Sequence, residues 1–429
     1  MGRIIRKCKE FKGEVIVGAD KSISHRAVIF SALAKGESVV ENFLLADDTI
    51  ATSNCIRQLG IEIVADHDKL RIKGKGLKGL SEPSSILYCG NSGTTMRLLT
   101  GLLSGQDFFS VLSGDNSLNQ RPMQRIIKPL SEMGGEIHAR ANGNYAPFAV
   151  IGKPLRGFTY NSPIASAQIK SALLLAGLTA NEPTTIVEPQ KSRNHSENML
   201  KAMGADIIEN GLAVTISPGR ELIPQTIKVP NDISSAVFFI VAASIIPGAE
   251  VLVKSVGINQ TRAGVLEVLE QMGANIKKEN ESLVNGELVA DLVIRGALLN
   301  SIEIQGEIIP RLIDEIPILA VAMAVADGRS VVRDASELRV KETDRIKAIC
   351  SELGKMGVDI TEIEDGFIIE GNYDNLKGVV VDSWGDHRIA MSLAVAGLLA
   401  TGATKINNAQ VVDISFPEFW ERINDLNFT

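Results

Sequence analysis

The sequence predicts an α/β (α+β) fold that is built from six copies of one repeat and divided into two domains. Three observations lead to this prediction: a recurring Met/Leu-Gly turn, a recurring apolar helix, and a short strand-like run after each apolar helix. A repeat of this length is typical of a supersecondary unit that buries its apolar face against neighbouring copies.

The first repeated element is the pattern Met/Leu-Gly-x-Asp/Glu/Asn-Ile. It occurs five times, with its first glycine at Gly60, Gly134, Gly204, Gly273 and Gly357. Each copy follows a stretch with helical apolar spacing. Glycine suits the left-handed conformation that ends many helices, and a β-branched residue after it favours a strand. Each copy therefore predicts an amphipathic helix, a turn and a strand.

The second repeated element is a segment that is apolar on nearly all sides. The six segments start with a polar residue and lie 66 to 82 residues apart, near Ser22, Ser92, Ser166, Asp232, Asp314 and Asp386. A helix without a polar face must be buried inside a domain. One repeat cannot cover such a helix by itself, whereas three repeats around a shared core can.

The two predicted domains each hold three repeats. The sixth repeat lacks closing strands after its amphipathic segment 417–426, and residues 1–19 are strand-like without a helix of their own. We therefore expect the N-terminus to complete the last repeat. The predicted domains are 1–19 plus 231–429, with repeats four to six, and an inserted 20–230, with repeats one to three. The alternative, an open solenoid, would need polar capping repeats, and none is evident.

Composition excludes several classes of protein. Hydrophobic residues make up 45% and charged residues 22%, which is typical of a globular chain and not of a disordered one. The net charge of -7 argues against a strongly basic, nucleic-acid-binding protein, although it leaves a local basic cleft open. The apolar run 236–246 is too short to span a membrane, and no secretory signal opens the chain. The four cysteines lack disulfide or zinc-site spacing, so we expect reduced thiols, a cytoplasmic location and no metal or cofactor: Cys8, Cys55, Cys89 and Cys350.

Cationic and small polar residues recur at the starts of the predicted helices. A helix N-terminus binds anions through its free N–H groups and its partial positive charge. Single members of this set have simpler explanations: Ser22, Ser166 and Asp314 could be helix N-caps, and 341–345 a surface charge run. His67 and His138 are expected at the surface. Because cations recur at equivalent helix ends, the set predicts a site for two or three anionic groups. Motifs for ATP binding, zinc hydrolysis and serine-triad chemistry are absent.

Five motifs carry a resemblance to a known family. They span 20–27 (DKSISHRA), 91–97 (NSGTTMR), 121–123 (RPM), 339–345 (RVKETDR) and 385–391 (GDHRIAM). In this order and over essentially the whole chain they resemble the 5-enolpyruvylshikimate-3-phosphate synthase family of enolpyruvyl transferases. The resemblance implies a two-domain inside-out α/β barrel of six βαβαββ repeats, with the active site in the cleft between the domains.

The resemblance also implies an activity and its residues. The enolpyruvyl group of phosphoenolpyruvate would pass to the 5-hydroxyl of shikimate 3-phosphate with release of phosphate, in the shikimate pathway to chorismate and the aromatic amino acids. The implied catalytic residues are Asp314, Glu342 and Lys21. Shikimate 3-phosphate would contact Lys21, Ser22, Arg26, Ser166, Gln168, Arg193, Asp314 and Lys341. Phosphoenolpyruvate would contact Lys21, Gly93, Arg121, Gln168, Arg345 and Arg388. These two small molecules are the expected partners of a monomer.

The sequence departs from the family pattern near its C-terminus. Many members carry a lysine before the Phe-Pro pair, whereas the stretch 413–417 here reads DISFP. Two other functions stay open. The first is enolpyruvyl transfer to a UDP-sugar, whose enzymes use a cysteine-bearing loop in their first half, where Cys89 lies. The second is a non-catalytic anion-binding homologue.

Overall fold

The computed structural model describes residues 2–66 and 69–428, and it has the mixed α/β architecture that the sequence predicts. The chain forms two compact units. Unit 1 comprises Met1–Asp20, Pro230–Leu283 and Leu288–Thr429, and unit 2 comprises Lys21–Val229 and Val284–Glu287. His67 lies outside the described residues, whereas His138 is exposed. Within the described ranges, no helix combines the length and the apolar character needed to cross a membrane.

Short helices alternate with short strands along the whole chain. The α-helices are α1 (Lys21–Leu33), α2 (Asp47–Gln58), α3 (Gly93–Ser104), α4 (Gln124–Glu132), α5 (Arg140–Gly143), α6 (Ala167–Gly177), α7 (His195–Ala202), α8 (Ile233–Ile245), α9 (Gly264–Gln271), α10 (Ile309–Leu312), α11 (Ile316–Val325), α12 (Arg345–Lys355), α13 (His387–Gly397) and α14 (Phe419–Leu426). Short 3₁₀ turns lie at Leu118–Gln120, Gly306–Ile308, Ser336–Val340, Tyr373–Asn375 and Ala409–Ile414.

The strands are distributed over six small sheets in the described part of the chain. In chain order they are β1 (Arg3–Arg6), β2 (Glu10–Val15), β3 (Lys35–Glu41), β4 (Glu62–Asp66), β5 (Lys69–Lys75), β6 (Leu87–Tyr88), β7 (Phe109–Ser113), β8 (Glu136–Ala139), β9 (Tyr145–Ile151), β10 (Thr159–Asn161), β11 (Thr184–Val187), β12 (Asp206–Asn210), β13 (Ala213–Ser217), β14 (Thr226–Lys228), β15 (Glu250–Gly257), β16 (Asn275–Val284), β17 (Glu287–Arg295), β18 (Glu303–Ile304), β19 (Gly328–Val332), β20 (Asp359–Ile363), β21 (Gly366–Gly371), β22 (Val380–Asp382), β23 (Ala403–Asn407) and β24 (Asn427–Phe428). Unit 2 holds the sheets β14-β3-β5-β4, β6-β7-β9-β8 and β10-β11-β13-β12, and unit 1 holds β16-β17-β15-β2-β24, β18-β19-β21-β20 and β1-β23-β22.

The second repeat shows the common pattern. From β6 the chain passes through α3 to β7, which lies parallel to β6. It then forms α4 and returns through β8 and β9, and β9 pairs antiparallel with both β7 and β8. This order is the βαβαββ unit that the family resemblance implies.

The N-terminal strands serve two different repeats. β1 pairs antiparallel with β23, with Ile4 opposite Lys405, and so adds the return strand that the sixth repeat lacks. β2 instead pairs in parallel with β15 and supplies the first strand of the fourth repeat. The first repeat takes its own first strand from β14, which pairs in parallel with β3.

The Met/Leu-Gly turns have the predicted left-handed geometry. All five glycines have positive φ, between +84° at Gly60 and +98° at Gly134. Each is followed within two residues by a strand: β4, β8, β12, β16 and β20. The sequence prediction of a helix, a turn and a strand at each copy is therefore confirmed.

The apolar helices form the core of each unit. In unit 1, α8, α11 and α13 pack against one another, and every residue of α11 is buried. In unit 2, α3 packs against both α1 and α6. The sides of these helices are occupied by neighbours, so in each unit only their ends are available for chemistry.

We expect Gly273→Ala to destabilise unit 1. Gly273 has a φ of +94°, and a Cβ added there would lie 3.5 Å from its nearest neighbour, Asn300 Nδ2, so the substitution causes no clash. The expected loss is about 1–2 kcal/mol of unfolding free energy, because an L-residue is strained at positive φ. Urea unfolding measures it.

Gly354→Ala is the matched control, because Gly354 lies inside α12 of the same unit. A Cβ there would be 3.9 Å from its nearest neighbour. We expect a gain of about 0.5–1 kcal/mol, since alanine is the better residue inside a helix. Equal effects of the two substitutions would contradict the turn geometry.

Candidate active site

In unit 2, the first group of predicted site residues lies in the first two turns of α1. Lys21 begins the helix, and its Nζ lies 3.0 Å from Asp48 Oδ2. Ser22 lies within the first turn, so it is not the N-cap of this helix. The Ser22 carbonyl accepts a hydrogen bond of 3.0 Å from Arg26 Nη1. Arg26 is buried and donates two further hydrogen bonds to serine hydroxyls, which fix the guanidinium in one orientation.

The second group surrounds Gly93 at the start of α3. Ser92 is the N-cap of this helix, and its Oγ accepts the Thr95 N–H at 3.1 Å. A Cβ added to Gly93 would lie 2.8 Å from Arg97 Nη1 and 3.6 Å from Arg121 Nη1. Two guanidinium groups therefore lie against the α-carbon of Gly93. A Cβ here would displace the Arg97 guanidinium, whereas 3.6 Å is an ordinary contact distance to that of Arg121.

Gln168 joins this group from α6. Its Oε1 accepts a hydrogen bond of 2.6 Å from Arg97 Nη1. Arg121 Nη2 donates a hydrogen bond of 2.5 Å to Asn91 Oδ1. Unit 2 thus brings together Gly93, Arg121 and Gln168, three of the residues predicted to contact phosphoenolpyruvate. Arg97 and Asn91 were part of the sequence motif without a role, and their contacts show that they orient this group.

Ser166 and Arg193 complete the predicted residues of unit 2. Ser166 is the N-cap of α6, as its simpler explanation proposed, because its Oγ accepts the Ile169 N–H at 3.4 Å. Its own N–H donates to Glu188 Oε1 at 3.3 Å. Arg193 is half-buried in the loop that precedes α7. Its role as an N-cap does not prevent Ser166 from also contacting shikimate 3-phosphate.

In unit 1, Asp314 is not the N-cap that its position suggested. The N-cap of α11 is Glu315, which makes no side-chain capping bond. Asp314 Oδ1 instead lies 3.1 Å from Arg345 Nη1 and 3.4 Å from Lys341 Nζ. The explanation of Asp314 as a cap is therefore wrong, because its carboxylate contacts two cations instead of the start of the helix.

Arg345 is the centre of the charged cluster in unit 1. It is 1% exposed. Its Nη2 lies 2.6 Å from Glu342 Oε2, and its Nε lies 2.7 Å from Asp386 Oδ2. Burial alone would lower the pKa of the guanidinium, but the carboxylates of Asp386, Glu342 and Asp314 outweigh it and raise the pKa. Arg345 is therefore a permanent cation, so 341–345 is not merely a solvated charge run.

Arg388 lies in the first turn of α13 beside the same cluster. Its Nη1 donates to the Asp314 carbonyl at 3.2 Å and to Glu315 Oε1 at 3.4 Å. Glu315 in turn pairs with buried Arg262 at 2.9 Å. Neither Glu315 nor Arg262 was predicted to have a role. Adjacency to Asp314 could have indicated Glu315, whereas no local pattern indicates Arg262, which lies 53 residues away.

A buried chain of hydrogen bonds links α1, α2 and α3 in unit 2. His25 Nδ1 lies 2.6 Å from Thr52 Oγ1, and this hydroxyl lies 2.6 Å from Thr95 Oγ1. The Thr95 hydroxyl donates to the capping Ser92 Oγ at 2.7 Å. Burial lowers the pKa of His25 to about 3, although the nearby Asp48 opposes the shift. The imidazole is therefore neutral at physiological pH and ties the Lys21 helix to the Gly93 loop.

We expect His25 to make stability depend on pH. Its folded pKa of about 3 is below the unfolded value of about 6.5, so the unfolded chain binds the extra proton first and stability falls as pH falls below 6.5. At pH 5 this loss is about 2 kcal/mol. His25→Gln does not titrate, so urea unfolding at pH 7.5 and pH 5 isolates the effect. A constant difference between wild type and variant would mean that folded His25 takes up the proton.

Comparison with known proteins identifies the family of this chain. The sequence model of the family described as EPSP synthase (3-phosphoshikimate 1-carboxyvinyltransferase) matches residues 5–423. A 3-phosphoshikimate 1-carboxyvinyltransferase of Syntrophomonas wolfei is 60% identical over 426 residues, which are 99% of this chain and 100% of the relative. The one of Geobacter metallireducens is 52% identical over 97% of each chain. A solved EPSP synthase from Acinetobacter baumannii has a TM-score of 0.90 at 44% identity, covering 100% of this chain and 98% of its own. The chain therefore belongs to the EPSP synthase family.

Proposed function

We propose that this chain uses Asp314, Glu342 and Lys21 to transfer the enolpyruvyl group of phosphoenolpyruvate to the 5-hydroxyl of shikimate 3-phosphate. The chain is a transferase, a 3-phosphoshikimate 1-carboxyvinyltransferase of aromatic amino-acid biosynthesis. The observation that carries the residue assignment is the Asp314 carboxylate, which lies among the cationic side chains of Lys341 and Arg345. A base beside cations suits a reaction between two anionic substrates.

The proposed chemistry has two stages. Asp314 accepts the proton of the 5-hydroxyl while the 5-hydroxyl oxygen bonds to the central carbon of the enolpyruvyl group. At the same time the methylene carbon of that group gains a proton. The resulting tetrahedral adduct is not attached to the protein. The adduct then loses phosphate and one proton of the newly formed methyl group, which restores the double bond. Glu342 and Lys21 handle the protons at the methylene carbon and at the departing phosphate.

Phosphoenolpyruvate is assigned to cationic residues at or near helix starts in each unit, together with two uncharged residues. These are Lys21 and Arg121, with Gly93 and Gln168, in unit 2, and Arg345 and Arg388 in unit 1. Guanidinium forks suit carboxylate and phosphate groups. Arg345 already contacts carboxylates through Nε, Nη1 and Nη2. A guanidinium has five N–H donors, so two of those of Arg345 remain for a substrate anion beside Asp314 and Glu342.

Shikimate 3-phosphate is assigned to the small polar and cationic residues near the helix starts. They are Lys21, Ser22, Arg26, Ser166, Gln168 and Arg193 in unit 2, and Asp314 and Lys341 in unit 1. Helix starts supply N–H groups and a partial positive charge for the phosphate. The net charge of -7 is compatible with this, because the local field decides the binding of an anion.

The burial of Cys89 argues against the alternative, enolpyruvyl transfer to a UDP-sugar, because Cys89 was its candidate cysteine. Cys89 is fully buried. Contact with the Cys55 thiol and burial both raise the pKa of Cys89 well above its usual value. A buried neutral thiol is a poor nucleophile or acid. A non-catalytic homologue would not need the carboxylates placed around Arg345.

We also propose that the protein acts as a monomer in the cytoplasm. All four cysteines are free thiols, which agrees with a reducing compartment. The proposed partners are the two small-molecule substrates, without nucleic acid or membrane.

We expect Asp314→Asn to reduce turnover by roughly 10²–10⁴-fold, the usual contribution of a general base, because an amide cannot accept the hydroxyl proton. The dissociation constant for shikimate 3-phosphate should change much less, since the phosphate is held by other groups. Phosphate release from phosphoenolpyruvate measures turnover, and calorimetry measures binding.

Asp344→Asn is the matched control, because Asp344 directly precedes Arg345 in the same unit and is the N-cap of α12, where its Oδ1 accepts the Lys347 N–H at 3.0 Å. Asparagine is about as good an N-cap as aspartate, so near-normal turnover is expected. Full turnover of Asp314→Asn would move the role of base to another group, with Glu342 the first candidate.

We expect Cys89→Ala to keep turnover within about tenfold of wild type, since a buried thiol with a raised pKa takes no part in proton transfer. The assay compares phosphate release with shikimate 3-phosphate and with UDP-N-acetylglucosamine as acceptors. Release with the sugar nucleotide, lost in Cys89→Ala at an unchanged melting temperature, would replace the proposed function by the alternative.

A further inference from the structure

A buried lysine lies in unit 2, outside the residues assigned above. Lys170 is on α6 and is 1% exposed. Its Nζ lies 2.7 Å from Glu188 Oε2 and 2.7 Å from Glu197 Oε1. It also donates to the Ser192 carbonyl at 3.3 Å. One ammonium therefore holds two buried carboxylates and a loop carbonyl.

Glu188 does more than pair with this ammonium. It directly follows β11, is 3% exposed, and accepts hydrogen bonds from two backbone N–H groups. Its Oε1 accepts the N–H of Ser166, and its Oε2 accepts the N–H of Ser192, each at 3.3 Å. Ser166 opens α6, and Ser192 directly precedes Arg193. The carboxylate of Glu188 thus joins two separate segments of the chain at the residues where each meets the site.

Stability alone does not explain this arrangement. Removing carboxylates from water is costly, and well-packed apolar residues of similar volume often stabilise a protein as well as a buried ion pair does. Apolar residues could not accept the two backbone N–H groups. Glu188 therefore supplies a geometric restraint, and Lys170 supplies the positive charge that allows the carboxylate to be buried.

We propose that Glu188, with its charge balanced by Lys170, is a positioning residue for shikimate 3-phosphate. It fixes Ser166 and Arg193 relative to each other, so that both can contact the same substrate. This inference rests on the proposed function, which assigns these two residues to shikimate 3-phosphate. Glu188 itself does not need to contact substrate.

Glu197 provides the matched comparison. It is fully buried and pairs with the same ammonium, but within the described residues no backbone N–H donates to its carboxylate. Glu188→Gln and Glu197→Gln each remove one negative charge beside Lys170 and leave one carboxylate to balance it. Only Glu188→Gln disturbs the two backbone bonds, because an amide has one acceptor oxygen and places an NH₂ donor against the second N–H.

The experiment measures binding of shikimate 3-phosphate by calorimetry and phosphate release under steady state, for wild type and both variants. We expect Glu188→Gln to raise the Kd and KM for shikimate 3-phosphate about tenfold or more, because a charge-assisted hydrogen bond is lost. Its kcat at saturating substrate and its KM for phosphoenolpyruvate should stay within about threefold of wild type. Glu197→Gln should bind shikimate 3-phosphate about as tightly as wild type.

Several results would overturn the inference. They are normal binding by Glu188→Gln, equal weakening by both variants, and a fall in kcat without a change in KM. If the proposed function itself were wrong, the result would differ, because wild type would then not bind shikimate 3-phosphate.

If Glu188→Gln does not fold, a second measurement, made on wild type, tests the inference. In ligand-free wild type, the amide hydrogens of Ser166 and Ser192 should exchange slowly because Glu188 accepts both. Fast exchange at both positions would equally overturn the inference.

Discussion

A helix that is apolar on every side can exist only where other elements cover all of its sides, and the rest of this molecule follows from that constraint. Each unit contains three such helices: α1, α3 and α6 in unit 2, and α8, α11 and α13 in unit 1. Small sheets and amphipathic helices cover them. With the sides occupied, polar chemistry is left to the helix ends. The proposed site residues lie near the starts of these helices, near the starts of the amphipathic helices α4, α7 and α12, or on adjoining loops.

Burial at the helix ends explains why charges in this protein occur in clusters. Arg345 and Lys170 are both 1% exposed, and Arg262 is 3% exposed. Each lies against at least one carboxylate, because an unpaired buried charge would cost several kcal/mol. A buried guanidinium held by several carboxylates also has little freedom to rotate. The clusters therefore set the orientation of Asp314, Glu342 and Arg388 before substrate arrives.

The sequence predicted the parts of the fold that depend on neighbours along the chain. The turn at Gly273 was predictable because its preceding helix, its glycine and its following strand all lie within Gly264–Val284, and the pattern recurs along the chain. The same holds for the return of β1 to the sixth repeat, since an incomplete repeat needs a strand from elsewhere. The exchange between β2 and β14 was not predictable. Both are short strand-like segments, and nothing in their residues indicates which sheet each joins.

The candidate site likewise has residues that were predictable from the sequence and contacts that were not. Lys21 and Arg121 were found through motifs, and Asp314 through its place at a predicted helix start and the family resemblance. The contacts that orient them depend on residues that are far apart in sequence. Lys170 and Glu188 are 18 residues apart, and Arg262 and Glu315 are 53 apart. Long-range pairs leave no local pattern in a single sequence. Asp314 shows the opposite difficulty, because a local pattern that favours an N-cap is overridden by Lys341 and Arg345.

The pairing of β1 with β23 determines when unit 1 can complete its fold during synthesis on the ribosome. All strands of the unit 2 sheets lie between Lys35 and Lys228, so this unit can complete its sheets while later residues are still being made. Ile4, by contrast, pairs with Lys405, 401 residues later (405 minus 4). At about 5–20 residues per second, β1 waits roughly 20–80 s for its partner. During that time it is an unpaired strand edge, which nascent chains can capture in aggregates. Arg3 and Arg6 at its two ends, with Lys7 directly after it, place positive charge along that edge, where like charges on neighbouring nascent chains repel.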